Sequence, residues 1–210
     1  MNVWEVWRSN GLNKRDRVLT PEEQTALVAA GNANRLRHAR DAAILSLNTG
    51  ARHKEPVRVR WQDFDLERGL ITYIAANAKD GEDHTVPANG AALAMLKVQH
   101  ASRTWTERSC PFVFTYQGKP IESVNGAFRL LAKAAGLGRD VTFHTLRHTW
   151  ATGAGHAGCD PCDLMAWGGW LDLKMVERYY HTGAERSIRA LDVIGNHLIG
   201  TVPTGNAAAR

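Results

Sequence analysis

The sequence predicts an α+β domain that is mainly helical and carries one small antiparallel sheet. Three observations lead there. Helix signals recur along most of the chain, with Thr20-Pro21-Glu22-Glu23 and Asp160-Pro161 as starts and Gly31, Gly50, Gly136 and Gly168-Gly169 as stops. Only one pair of segments reads as a hairpin: Gly69 to Ala76 alternates, Asp80-Gly81 marks a tight turn, and Asp83 to Pro87 returns. Hydrophobic residues make up 44% and charged residues 22% of the 210, the composition of a chain with a packed core.

Residues 1–18 mix aromatic and basic side chains without a sustained period, and are expected to form an arm or linker ahead of a single domain over 19–199. Thr20 as N-cap, Pro21 in the first turn and Glu23 three residues after the cap open the first helix, which runs to about Ala30. A second helix is expected from about Asn34 to Asn48, with Leu36, Ala39, Ala43, Ile44 and Leu47 on one face and Gly50 ending it. The turn from Thr49 to Glu55 leads into a short helical stretch, and the hairpin follows with Lys79 close to its turn. Ala91 to Ala101 is helical, and Phe112-Val113-Phe114 is a short buried strand or extended piece. A helix beginning at Ser123 turns Phe128, Leu131 and Ala135 inward and closes at Gly136. Thr142 caps the helix that carries His144 and Arg147, and Asp172 opens the helix or turn that delivers Tyr179. Glu185 to Leu198 forms a last amphipathic helix with Ile188, Leu191, Val193 and Ile194, and residues 200–210 a flexible tail.

No apolar run approaches the roughly 20 residues that span a bilayer, and no charged-then-apolar leader opens the chain. A soluble cytoplasmic protein is therefore expected. Cys110, Cys159 and Cys162 are too few for a disulfide framework. Cys159 and Cys162 have metal-ligand spacing, but no second pair completes a four-ligand zinc site, so they read as two small buried thiols and no metal is predicted. The formal charge of +5 lies in the leading part: residues 1–60 hold eleven Lys and Arg against six Asp and Glu, and residues 61–210 hold fifteen of each. Such a segment suits a polyanion such as DNA, with Arg35, Arg37, Lys54 and Arg58 as candidate contacts, or is a solvated face.

Candidate chemistry centres on His144 to Tyr179. A helical spacing of three places His144 and Arg147 on one face, where an imidazole and a guanidinium can converge on one anion. A tyrosine about thirty residues later supplies an oxygen nucleophile. That collection points to phosphodiester chemistry, with the distant Arg52 as a second guanidinium.

The blocks TGAR-HKE (residues 49–55), the hairpin lysine, FHTLRHTWAT (143–152) and WGGWLDLKMVERYYH (167–181) resemble the catalytic domain of tyrosine recombinases, the phage-integrase family, over about Leu19 to Leu198. The resemblance implies catalytic roles for Arg52, Lys79, His144, Arg147, Trp170 and Tyr179, and a supporting role for Glu55. Trp170 falls where most members have histidine and a minority tryptophan, and Tyr179, nine residues on, matches the nucleophile. Tyr180 is a neighbouring second phenol that the family spacing disfavours.

The implied activity is cleavage and rejoining of DNA strands through a 3′-phosphotyrosyl intermediate, with double-stranded DNA as partner. Because the phosphotyrosine link conserves the ester energy, neither metal nor ATP is implied, and no cofactor is expected. The family assembles as a tetramer on paired sites, to which a monomer in solution is no contradiction, and acts on DNA of the nucleoid. Its members usually carry an N-terminal DNA-clamping domain, which residues 1–18 are too few to build. Two other readings stay open: a DNA-binding remnant without catalysis, and a type IB topoisomerase-like activity.

The residue types suit the chemistry. Two always-charged guanidiniums can clamp non-bridging oxygens whose charge grows in the transition state. A phenol with an ordinary pKa of about 10 needs its proton removed, which His144 could do, and the departing 5′ oxygen needs an acid, which Lys79 could supply. Trp170 donates only through its indole N–H, so it can bind a phosphate oxygen but cannot move a proton.

Overall fold

The computed structural model describes residues 17–31, 36–74 and 82–180. The last expected helix, the tail, most of the leading arm, Arg35 and Lys79 lie outside the described residues.

Helix α1 (Pro21–Ala30) begins as expected, with the Thr20 side chain accepting from the Glu23 N–H and the Glu23 carboxylate accepting from the Thr20 N–H. Helix α2 (Arg37–Thr49) is the centre of the domain. On it pack α1, α3 (Glu55–Arg58), α4 (Gly90–Ala101), α6 (Asn125–Ala134) and α7 (Phe143–Ala157). A helix enclosed by so many partners buries more than a stripe. Ala42, Leu45, Asp41, Ser46 and Thr49 are buried along with Ala39 and Ala43, while Leu36, Ile44 and Leu47 are only partly buried. That corrects the single apolar face expected from the sequence. The buried hydroxyls are satisfied: Ser46 Oγ donates to Ala51 O at 2.8 Å, and Thr49 Oγ1 donates to Leu45 O and meets the Tyr73 hydroxyl, both at 2.8 Å.

The sheet has three antiparallel strands in the order β1 (Phe64–Asp65), β2 (Leu70–Tyr73) and β3 (His84–Pro87). The register places Tyr73 opposite His84. Strand β2 is described only to Tyr73, and residues 75–81, which include the expected Asp80-Gly81 turn, lie outside the described residues. Strand β1, the short helix α5 (Trp105–Arg108) and the hairpin of β4 (Thr115–Tyr116) and β5 (Lys119–Pro120) were not expected. Phe112 makes an isolated bridge to Arg60 rather than a strand, with Val113 and Phe114 buried beside it.

Helix α6 turns Phe128, Leu131 and Ala132 into the core, with Ala135 at its cap only partly buried. Helix α8 (Pro161–Gly168) starts at Asp160, whose carboxylate accepts from the Cys162 N–H at 2.8 Å, and ends at Gly169. Cys159 is half-buried and Cys162 exposed, which corrects the expectation of two buried thiols. Asp172 accepts from the Lys174 N–H at 3.0 Å and opens α9 (Lys174–Glu177), which delivers Tyr179. Among the described residues no helix is long and apolar enough to cross a membrane.

Gly50 ends α2 with φ 71°, and a Cβ there would lie 2.2 Å from Cε3 of Trp150 on α7. The left-handed backbone alone costs a non-glycine residue about 1–2 kcal/mol, and the collision adds to it. Gly50→Ala is expected to lower the melting temperature by about 5 °C or more, read by circular dichroism.

Candidate active site

The Arg147 side chain projects from the second turn of α7 and is only 3% exposed. Its guanidinium donates to Gly50 O at 2.8 Å and Gly168 O at 2.6 Å, and its Cζ stands 4.0 Å from the centroid of the Trp170 ring. Arg52, two residues beyond the Gly50 cap of α2, donates from Nη1 to Glu55 Oε1 at 2.8 Å and from Nη2 to Gly169 O at 2.6 Å. The other carboxylate oxygen of Glu55 accepts from the Arg52 backbone N–H at 2.6 Å, so Glu55 fixes both ends of that residue. The two arginines thus share the elbow that ends α8, each holding one of its two consecutive carbonyls.

A guanidinium carries five N–H donors, so both arginines keep donors for an anion. Among the described residues one carboxylate, Glu55, faces these two cations. Burial first, and Arg52 second, push the Arg147 guanidinium down to about 10. It stays charged at neutral pH, and the pocket keeps a net positive charge that an anion would stabilise.

Tyr179 is buried, and its hydroxyl lies 3.0 Å from His148 Nδ1. Its ring sits 5.6 Å from that of Trp170, so the phenol and the Arg147 guanidinium flank the same indole. Trp170 in turn stacks on Trp150 at 6.2 Å and 15°. The close approach of Tyr179 to α7 requires Gly155, where a Cβ would lie 2.4 Å from the Tyr179 carbonyl oxygen. His144 meets His148 edge to face at 4.4 Å. Burial, then Arg147, Arg178 and His53, hold the His144 imidazole below its ordinary pKa, so it is neutral at pH 7. His144, His148 and Arg178 line a cavity of about 320 Å³ that opens beside them.

Of the residues singled out in the sequence, Arg52, Glu55, His144, Arg147, Trp170 and Tyr179 are therefore brought into one neighbourhood. Among the candidate DNA contacts, Lys54 and Arg58 are exposed beside Arg52, whereas Arg37 lies 3.7 Å from Asp41 and donates to Ser102. The sequence left His148, one residue past the recognised pair, open between a supporting role and a solvated or core one, and the structure places it against Tyr179. One participant escaped sequence reasoning. His84 on β3 packs on Tyr73 at 5.3 Å and stands 4.0 Å from Glu55, a position that no local spacing signals. Among the described residues no group of three or more His, Cys, Asp or Glu could hold a metal ion.

The phage integrase family model matches residues 17–186. The chain is 28% identical over 183 residues to the integrase of Salmonella phage P22, covering 80% of this chain and 44% of that protein. It is 30% identical over 182 residues to tyrosine recombinase XerC 2 of Ralstonia nicotianae, covering 83% and 51%. The chain thus spans about half the length of these relatives. Among solved structures it is similar to the integrase of transposon Tn1549 in complex with circular intermediate DNA, with a TM-score of 0.70 and 22% identity over 91% of this chain and 71% of that one. It is also similar to a lambda integrase dimer bound to a core site, with a TM-score of 0.62 and 20% identity over 79% and 48%.

Burial, the largest cause in each case, depresses His38, His84 and His144. Their folded pKa values lie below the ordinary histidine value of about 6.5, so the unfolded chain binds more protons and acid favours unfolding. The melting temperature is expected to fall as pH drops from about 7.5 through 6.5, with the loss levelling once pH is below the depressed folded values. His84→Gln should shrink that slope in thermal melts across the range.

Proposed function

The chain belongs to the phage integrase family, and we propose that it is the catalytic domain of a site-specific DNA recombinase. In this reading Tyr179 attacks a DNA phosphodiester, forms a 3′-phosphotyrosyl link and releases a 5′ hydroxyl that can later reverse the step on another strand. The reading is supported above all by the convergence of two guanidiniums, an indole and a phenol from distant segments on one cationic pocket.

Arg52 and Arg147 bind the non-bridging oxygens, and their charge counts most where the transition state gathers negative charge. Trp170 adds an N–H to the same oxygens. Glu55 holds Arg52 in the binding orientation. His144 carries the proton between pocket and solvent, and Lys79 protonates the departing 5′ oxygen. Arg35, Arg37, Lys54 and Arg58 contact the phosphates alongside, and copies assemble as a tetramer on paired sites of cytoplasmic, nucleoid DNA. The ester energy is kept in the covalent link, so no metal or nucleotide cofactor takes part.

The test uses the intact chain on a library of nicked suicide duplexes with a randomised core, with covalent adducts captured and sequenced. Adducts are expected from the intact chain and none from Tyr179→Phe, whose binding to the same duplexes should be unchanged. Arg147→Lys, which keeps the charge but loses the planar fork, should slow adduct formation about 100-fold or more. Covalent adducts that persist in Tyr179→Phe would refute the assignment of the nucleophile.

A further inference from the structure

The proton of the Tyr179 phenol needs a recipient. The motif pairs His144 with Arg147, yet among the described residues the side-chain atom in hydrogen-bond contact with the phenol oxygen is His148 Nδ1, at 3.0 Å. Both partners are buried, at 4% exposure for Tyr179 and 5% for His148, so bulk water does not compete freely for the phenolic proton. Helical geometry explains the pairing. His144 and His148 are four residues apart and stack edge to face on one side of α7, with His148 a full turn deeper along the helix. The deeper ring meets Tyr179, and the outer one is exposed at the cavity they both line.

Resting on the strand-cleavage reading, we propose that His148 is the immediate proton acceptor for Tyr179, with His144 as the outer relay. As the bond from Oη to phosphorus forms and the bond from phosphorus to the 5′ oxygen breaks, the phenolic proton passes to His148 Nδ1. The 5′ oxygen takes its proton from the leaving-group acid or from water. In the reverse step the 5′ hydroxyl attacks phosphorus and gives its proton back to the conjugate base of the leaving-group acid or to water, the bond to Oη breaks, and the imidazolium returns its proton to the phenolate. The acceptor role needs the tautomer that carries hydrogen on Nε2, leaving Nδ1 with a lone pair toward the phenol.

Among the described residues, the titratable and charged groups facing His148 are His144 on its own helix, Tyr179 and Arg178 after α9, and Arg17 and Asp140 lining the same cavity. Arg17 and Arg178 are cations, and Asp140 is already engaged by Arg17 at 3.1 Å. An incoming phosphate adds negative charge nearby and favours the protonated state at the moment it forms.

The experiment compares the intact chain with His148→Asn, whose side chain keeps a hydrogen-bonding atom near the Nδ1 position but cannot take the proton. The readout is single-turnover adduct formation on the nicked duplexes, measured across pH and also with sulfur in place of the bridging 5′ oxygen. The intact chain should slow as pH falls through the imidazole range. His148→Asn should be about 100-fold slower or worse near pH 7, gain rate steadily toward the phenol range, and stay slow on the sulfur substrate, which relieves only the leaving-group acid. A variant within about threefold of the intact chain with the same pH profile would overturn the proposal, as would full recovery on the sulfur substrate. Absence of adduct from the intact chain on every duplex would overturn the cleavage reading and this proposal together, which separates the two failures. Should His148→Asn not fold, the nitrogen resonances of histidine-labelled intact chain and Tyr179→Phe decide: a His148 signal unmoved by loss of the hydroxyl refutes the contact on which the proposal stands.

Discussion

A buried guanidinium with no carboxylate partner among the described residues organises this domain. Arg147 is almost wholly out of water, and a cation in that position costs several kcal/mol unless its donors are met. It is met by two backbone carbonyls and an aromatic face: Gly50 O from the end of α2, Gly168 O from the end of α8, and the ring of Trp170. Those partners orient the charge without neutralising it. Arg147 therefore fastens two helix ends to α7 and leaves a positive pocket between them. Arg52 follows Gly50 by two residues and holds Gly169 O, next to the carbonyl that Arg147 holds, so both cations are set by the same pair of turns. Displacing either turn displaces both.

The rest of the molecule supports those turns. The end of α2 is held by Thr49 against the hydroxyl of Tyr73, which burial keeps protonated, and β3 lays His84 against Tyr73 and near Glu55. The small sheet thus stands against Glu55, the carboxylate that holds Arg52. Trp150 and Trp170 stack, with Gly50 close against Trp150, so the indole that faces Arg147 is itself clamped between helices. Gly155 admits the backbone of Tyr179 to within a distance that any side chain would forbid. Preorganisation here rests on packing and carbonyls rather than on ion pairs, Glu55 with Arg52 being the exception among the site residues described.

Much of this was legible in the sequence because local chemistry dictates it. The capping box at Thr20, the Asp160 cap and the stops at Gly50 and Gly168-Gly169 need only short-range hydrogen bonds, and they stand where they were expected. The face of α2 was misread because a helix surrounded by five others buries small and polar residues that periodicity counts as solvent-facing. The strand β1, the helix α5 and the hairpin of β4 and β5 are only two to four residues each, too short to carry a period. In the site, side chains within the recognised motifs came together, whereas His84 enters through the strand register and His148 through helix depth, both properties of the folded chain. The burial expected for Cys159 and Cys162 failed because the Asp160 cap sets that turn on the surface.

In the proposed reaction, the aromatic at position 170 would shift the burden of proton movement. An indole N–H can bind an oxygen anion, but it has no lone pair to accept a proton and does not release its own in water. The proton work near Tyr179 would then fall to imidazoles, and α7 presents two of them one turn apart, the inner against the phenol and the outer at the cavity. Burial, and then Arg147 on the same helix, hold the outer imidazole of His144 below its ordinary pKa. In the proposed reaction a phosphate bound by the arginines would offset the repulsion from Arg147. Anion binding and proton acceptance would then be coupled through a single helix, which carries the guanidinium that draws the phosphate in and the two imidazoles that take the proton.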